Sequence, residues 1–246
     1  MRAGRLPAGR LPAGRRVPGR QVPAAPSEPL GEGELRRAAE VLQAGGVVAV
    51  PTDTVYGLAA DARSESATQA IFALKGRPLA LELPVLVATA TDALALAAAA
   101  ARARLGLLAA AFWPGALTVV VDRCPGAELH LGGDPATVGL RVPDQAAVRE
   151  LAAMVGPLAV TSANRHSERP CTSAEEARLV VGDGTLVLDG GRCDGQPSTV
   201  VSLAGPEPRL LRAGPVRLED VAGVLAGAPP GPQARRGSQR NRRAAT

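Results

Sequence analysis

The stretch Val47-Val48-Ala49-Val50-Pro51-Thr52-Asp53-Thr54-Val55-Tyr56-Gly57-Leu58 decides how this chain is read. The β-branched run Val47 to Val50 predicts a short buried strand, and Pro51 stops it. The polar turn Thr52, Asp53, Thr54 then falls where an α/β protein presents ligand-binding groups. A helix is expected next, followed by Lys75-Gly76-Arg77-Pro78 in a loop. Lys75 is the only lysine in a chain whose lysines and arginines number 28. Where every other cationic position carries arginine, a surviving lysine points to a site that needs a compact ammonium and rejects a planar guanidinium. The plainer reading is the chance survival of one surface lysine.

Outward from that stretch, helix and strand signals alternate. Apolar residues at Leu35, Ala38, Ala39, Val41 and Leu42 give a helical stripe over Glu34 to Ala44, ended by Gly45-Gly46. A second helix is expected over Ser66 to Leu74, opened by a Ser66/Gln69 capping box. Strands are expected at Val85 to Ala88, Ala116 to Val121, Thr137 to Val142, Leu158 to Thr161, Thr185 to Leu188, Thr199 to Leu203 and Arg209 to Leu211. Two helices split near Ala101 fill Thr91 to Phe112, and further helices are expected at Gln145 to Met154 and Ser173 to Val180. The pattern predicts an α/β (α+β) sheet protein, with some antiparallel pairing because the last strands lack intervening helices.

Length and composition narrow the class. The chain's 246 residues suit one full-sized domain, expected over residues 30–225. Hydrophobic residues make up 46% but aromatics only 2%, so the core must be small and aliphatic. The net charge of +5 lies largely in two Arg/Pro/Gly-rich ends, 1–29 and 226–246, which are expected to be disordered. Cys124, Cys171 and Cys193 form no CxxC pair, which argues for a reducing compartment and against a zinc site or disulfide framework. Ala93 to Trp113 is broken by Arg102 and Arg104 and fails as a membrane span. A cytoplasmic protein is the expectation.

No Walker A run, Rossmann fingerprint, HExxH or nucleophile elbow is present, and the only histidines are His130 and His166, expected in surface loops. Hydroxyl-rich and basic segments recur instead at strand ends: Thr52 to Thr54, Lys75 and Arg77, Arg141, Thr161 to Asn164, Ser198-Thr199 and Arg212. Such groups suit a ligand with phosphates and a carboxylate. Taken singly, each is equally a strand-end turn or a helix cap.

Six motifs in order carry a resemblance: Pro51 to Leu58, Lys75-Gly76-Arg77-Pro78, Trp113 to Thr118, Val138 to Asp144, Thr161-Ser162-Ala163-Asn164 and Ser198-Thr199-Val200-Val201. They are similar to the YrdC/Sua5 family over Glu34 to about Leu218, in its short form without the C-terminal Sua5 domain. The resemblance implies a twisted mixed sheet flanked by helices around a basic cavity. It also implies synthesis of threonylcarbamoyl-AMP from L-threonine, bicarbonate and ATP, with Mg²⁺ accompanying ATP and pyrophosphate released. The product would pass to a downstream threonylcarbamoyl transferase that modifies an adenosine beside the tRNA anticodon.

By motif, the resemblance implies that Thr54, Arg141, Ser162 and Ser198 hold threonine, while Lys75, Arg77, Thr137, Asn164, Thr172 and Arg212 hold ATP. Lys75, Arg77, Ser162 and Asn164 would carry catalysis. Two places depart from the family pattern. Arg165 to Pro170 replaces a Ser-Gly pair with prolines, and Leu81-Glu82 replaces a small polar residue and proline. Other readings are a carbamoyl-handling domain like that of hydrogenase maturation proteins, and a module contacting tRNA or double-stranded RNA, as members of the wider family do.

Overall fold

Val48, Ala49 and Val50 form β1, and every one of them is buried. The computed structural model describes residues 30–165, 168–193 and 195–229. The extension 1–29 and the tail from 230 onward lie outside the described residues. Ahead of β1 stands α1 (Glu32–Gln43), and after it come β2 (Gly57–Asp61), α2 (Glu65–Lys75), β3 (Val85–Leu86) and α3 (Ala90–Leu96). A 3₁₀ turn over Ala99–Ala101 leads into α4 (Arg102–Phe112), then β4 (Leu117–Asp122), β5 (Thr137–Arg141), α5 (Ala146–Val155) and β6 (Leu158–Ser162). The chain closes with α6 (Ala174–Val181), β7 (Leu186–Val187), β8 (Thr199–Ser202), β9 (Arg209–Arg212) and α7 (Leu218–Leu225).

The strands make one mixed sheet in the order β7-β1-β2-β6-β3-β5-β4-β8-β9. Antiparallel pairs dominate, with parallel pairing at β1/β7, β3/β5 and β4/β8. The expected mixed sheet protein is what the chain forms. Because side chains alternate between faces, β1, β2, β3, β6 and β7 feed two separate cores. Val48, Val50, Ala59, Leu86, Leu158 and Val160 pack with α1 and α5 on one side. Ala49, Leu58, Ala60, Val85, Val119, Val138, Leu140 and Val201 belong to the other core, shared with α2, α4 and α7.

That alternation locates the site. On β1, β2, β6 and β3 both faces are apolar, but on β4 and β5 only one is. The residues of β5 that share a face with Leu86 are Thr137, Gly139 and Arg141, and on β4 Thr118 lies level with Arg141. The face that α1 and α5 cover therefore turns from apolar to polar between β3 and β5.

Several local expectations change. The cap of α2 is Ser64, which accepts from Ala67 N, and Ser66 lies inside the helix. Lys75 is the last helical residue, with the loop starting at Gly76, because Gly76 takes the left-handed conformation (φ 58°) that ends the helix one residue later. At α6, Ser173 caps Glu176 N as expected, but the Glu176 carboxylate reaches past the cap to Thr172 N at 2.6 Å. Two elements, β2 and α7, have no counterpart in the sequence reading.

Candidate active site

Thr52, Thr54, Arg77, Arg141, Ser162, Ser198 and Arg212 line a cleft of about 130 Å³, floored by Gly57, Leu86, Thr118 and Val160. It is far smaller than the large cavity the resemblance implies, and below the ~300–1,000 Å³ of a drug-sized ligand pocket. A larger hollow of about 540 Å³ lies at the β7 edge, between Arg37, Val47, Arg178 and Thr185, and contains none of the expected site residues.

The turn after β1 is built by hydroxyls. Thr52 Oγ1 accepts from the backbone N–H of Thr54 and of Val55 at 3.1 Å each, an arrangement that lets a short side chain hold a turn. Thr54 Oγ1 lies 2.9 Å from Thr52 Oγ1 and faces Arg141. Arg141 is only 5% exposed and spends its fork on three partners: Gly115 O at 2.8 Å, Thr54 Oγ1 at 3.2 Å and Asp53 Oδ1 at 2.7 Å. The Gly115 carbonyl comes from the turn after the cis Trp113-Pro114 bond. A buried guanidinium paired and hydrogen-bonded this way keeps one orientation.

On the other flank, Ser198 Oγ lies 2.8 Å from Thr118 Oγ1 and accepts from Arg212 Nη2 at 3.0 Å. Arg212 Nε also donates to Ser198 O, so the last residue of β9 is fixed to the entry of β8. Burial first, and then the charges of Arg141 and Arg77, push the Arg212 guanidinium down from its ordinary value. Three arginines thus repel one another across the cleft.

Lys75 stands behind Ser162, outside the cleft lining. It is 4% exposed, and its ammonium donates to the carbonyls of Ser162 and Asn164, with Asn164 Oδ1 at 3.5 Å. Burial, followed by the charge of Arg77, lowers its pKa from 10.5 to about 8, with Cys171 opposing. Arg77 donates to Leu81 O and Glu82 O at 3.1 and 3.0 Å. Among the described residues no carboxylate lies within ion-pair distance of Lys75, Arg77 or Arg212; Arg141 alone of the four has one.

Of the ten residues expected from the sequence, Thr54, Arg77, Arg141, Ser162, Ser198 and Arg212 line the cleft. Lys75 and Asn164 stand behind Ser162 at the end of β6. Asn164 Nδ2 grips Arg165 O and Glu168 O at 2.7 and 2.9 Å, which anchors the departing loop on both sides of the undescribed His166 and Ser167. Thr137 Oγ1 lies 3.2 Å from Glu82 Oε2, and Thr172 turns both its N–H and its hydroxyl to Glu176. Neither lines the cleft in this conformation.

Sequence reasoning gave no role to Asp53, Thr118, the Gly115 carbonyl or Gly139. Asp53 sat in plain view within the Thr52–Thr54 turn, and Thr118 closes the Trp113–Thr118 motif. Gly139 carries no side chain to recognise, yet it keeps the floor open between Thr137 and Arg141. His130 is exposed, as expected, and Cys124, Cys171 and Cys193 form no disulfide among the described residues.

Fold and site together define a mixed α/β sheet protein whose cationic, hydroxyl-lined cleft is built to bind anions. The particular lineage follows from comparison. A family model for Sua5, YciO and YrdC proteins, described as "Telomere recombination", matches residues 40–214. The human threonylcarbamoyl-AMP synthase is 40% identical over 200 residues, 78% of this chain and 70% of its own length. A Mycobacterium tuberculosis protein provisionally named for the same activity is 42% identical over 190 residues, 76% of this chain and 87% of its own. The Pyrococcus abyssi Sua5 crystal structure with L-threonine superposes with a TM-score of 0.75 at 33% identity, covering 83% of this chain and 61% of that one. This chain belongs to the Sua5/YciO/YrdC family, as its motifs led one to expect.

Proposed function

We propose that this protein is an L-threonylcarbamoyladenylate synthase, a nucleotidyltransferase joining L-threonine, bicarbonate and ATP. The observation that carries the reading is the convergence of Arg77 and Arg212, without carboxylate partners among the described residues, on the cleft beside Arg141, with the ammonium of Lys75 buried behind Ser162. Cations left facing one another in a folded protein await an anion. The relatives' printed names and the threonine complex of the Pyrococcus protein support the same reading.

In this proposal, Thr54, Arg141, Ser162 and Ser198 hold threonine. Arg141, already oriented by Asp53, receives the carboxylate. Threonine and bicarbonate lose water to give a carbamate, and a carbamate oxygen attacks the α-phosphorus of ATP while the bond to pyrophosphate breaks. The nucleophile is already anionic, so no strong general base is needed. The protein's task is to align two anions and to neutralise charge as it moves onto the leaving pyrophosphate. Lys75 supplies a point charge and Arg77 a fork, with Thr137, Asn164, Thr172 and Arg212 as further ATP ligands. Mg²⁺ is assigned to the ATP phosphates, because the described residues offer no cluster of three or more metal-ligating side chains.

The product would serve a downstream threonylcarbamoyl transferase acting on tRNA, and tRNA or double-stranded RNA contact is part of the same proposal. No helix among the described residues is long and apolar enough to cross a membrane. The test is turnover of ATP to pyrophosphate by purified protein, with labelled threonine traced into a nucleotide adduct. Adduct formation that needs both threonine and bicarbonate is the expected result. ATP binding without adduct would leave a related protein with a different reaction.

A further inference from the structure

Glu82 stands where the family pattern has a different residue, and it touches two groups of the nucleotide side. Its carbonyl accepts from Arg77, and its carboxyl meets Thr137. The register explains the second contact, because extending β3 backward from Val85 places Glu82 level with Thr137 at the start of β5. Gly133, in the left-handed region at φ 63°, leaves the room: a Cβ there would lie 2.6 Å from Glu82 Cβ.

The carboxyl is poorly provided for. Oε2 is within 3.2 Å of Thr137 Oγ1, while Oε1 is buried and has no hydrogen-bond partner among the described residues. A buried carboxylate with an unpaired oxygen is costly, whereas a neutral carboxyl is much less so. Thr137 adds a constraint, because a hydroxyl has one hydrogen. If that hydrogen goes to a Glu82 carboxylate, Thr137 shows a polyphosphate only lone pairs. If Glu82 is itself the donor, the threonine hydrogen is free, and Asp134 O at 3.4 Å is its other acceptor in this conformation.

Resting on the synthase reading, we propose that Glu82 is a positioning residue that, as a neutral acid, donates to Thr137 Oγ1 and so turns the threonine hydroxyl into a donor for ATP. The groups facing Glu82 are consistent with this. Burial is the main force raising its pKa and Asp134 adds to it, while the Thr137 hydroxyl, Arg123 and the Gly139 N–H pull the other way. Arg77 meets the Glu82 backbone.

The test is ATP and threonine binding by calorimetry from pH 5.5 to 7.5, on the full chain and on Glu82→Gln, Glu82→Ala, Thr137→Val and the Glu82→Ala/Thr137→Val pair. Glutamine, nearly isosteric, is a permanent donor. It is expected to bind ATP at least as tightly as wild type, with an advantage that grows as pH rises and the glutamate ionises. Glu82→Ala is expected to weaken ATP by about tenfold in the wild-type background and not in the Thr137→Val background, the loss of one hydrogen bond to a charged ligand. Threonine affinity stays unchanged throughout. A glutamine variant that binds ATP more weakly than wild type, or an equal alanine effect in both backgrounds, would overturn this inference alone. Wild type that bound no ATP would overturn the synthase reading with it.

Discussion

Lys75 shows what a single residue's surroundings do. Its buried ammonium has a pKa lowered to about 8, mainly by loss of water and then by Arg77. Between about pH 8 and 10.5 the unfolded chain therefore holds more proton at this position than the folded one, and the lysine's contribution to stability rises with pH across that window. Function runs the opposite way, because phosphate needs the ammonium. We expect kcat/KM for ATP to fall above about pH 8, and the alkaline limb to vanish in Lys75→Ala along with activity on the order of 10²-fold. A pH profile of pyrophosphate release, with circular dichroism to confirm folding, checks both. A limb unmoved by the substitution would belong to another group. The sequence singled out this lysine because nothing else in the chain is a lysine. It did not reveal the two carbonyls beneath the ammonium, since Ser162 and Asn164 lie 87 and 89 positions away.

At the scale of elements, two glycines allow opposite predictions. Gly76 ends α2 at φ 58°, and a Cβ there meets nothing within 4 Å. Gly76→Ala is thus penalised by backbone strain alone, about 1 kcal/mol, read as a lowered denaturation midpoint. Gly139 lies on an ordinary strand, where a Cβ meets Thr118, Val120 and Pro84 at 3.6–3.7 Å, normal contact distances. Gly139→Ala should leave the fold standing and intrude on the cleft floor beside Thr118 and Pro84, so binding falls while the melting temperature holds; unchanged ligand affinity would show that the floor is unused. Helices with an apolar stripe and a stop, such as α1, were legible from spacing. β2 was not, because Gly57-Leu58-Ala59-Ala60-Asp61 has neither β-branched residues nor alternation; burial between β1 and β6 makes it a strand. The helix α7 was missed for a similar reason, since its eight residues are short and end in no glycine at the next position.

For the whole molecule, the crowded cations of the cleft make ligand binding a matter of stability. Arg77, Arg141 and Arg212 repel one another in the empty protein, so ATP or pyrophosphate should raise the melting temperature. At a hundredfold excess over Kd the gain is about 2.7 kcal/mol, or roughly 5–10 °C for a chain of this size. Differential scanning fluorimetry reads it, and sulfate at equal ionic strength separates a specific site from general screening. The sheet class was legible from alternating signals, but the strand order was not, because it depends on pairings such as β4 with β8 across some 80 positions. Within that order, the whole join between β6 and β5 is β3, two residues long and two pairings deep on each side. Thr54 and Ser162 lie on one side of this seam; Arg141, Ser198 and Arg212 lie on the other, and Arg141 reaches across to Thr54 and Asp53. A substrate gripped from both banks is therefore a stitch, and under load the empty protein should tear along its midline while the filled one tears elsewhere.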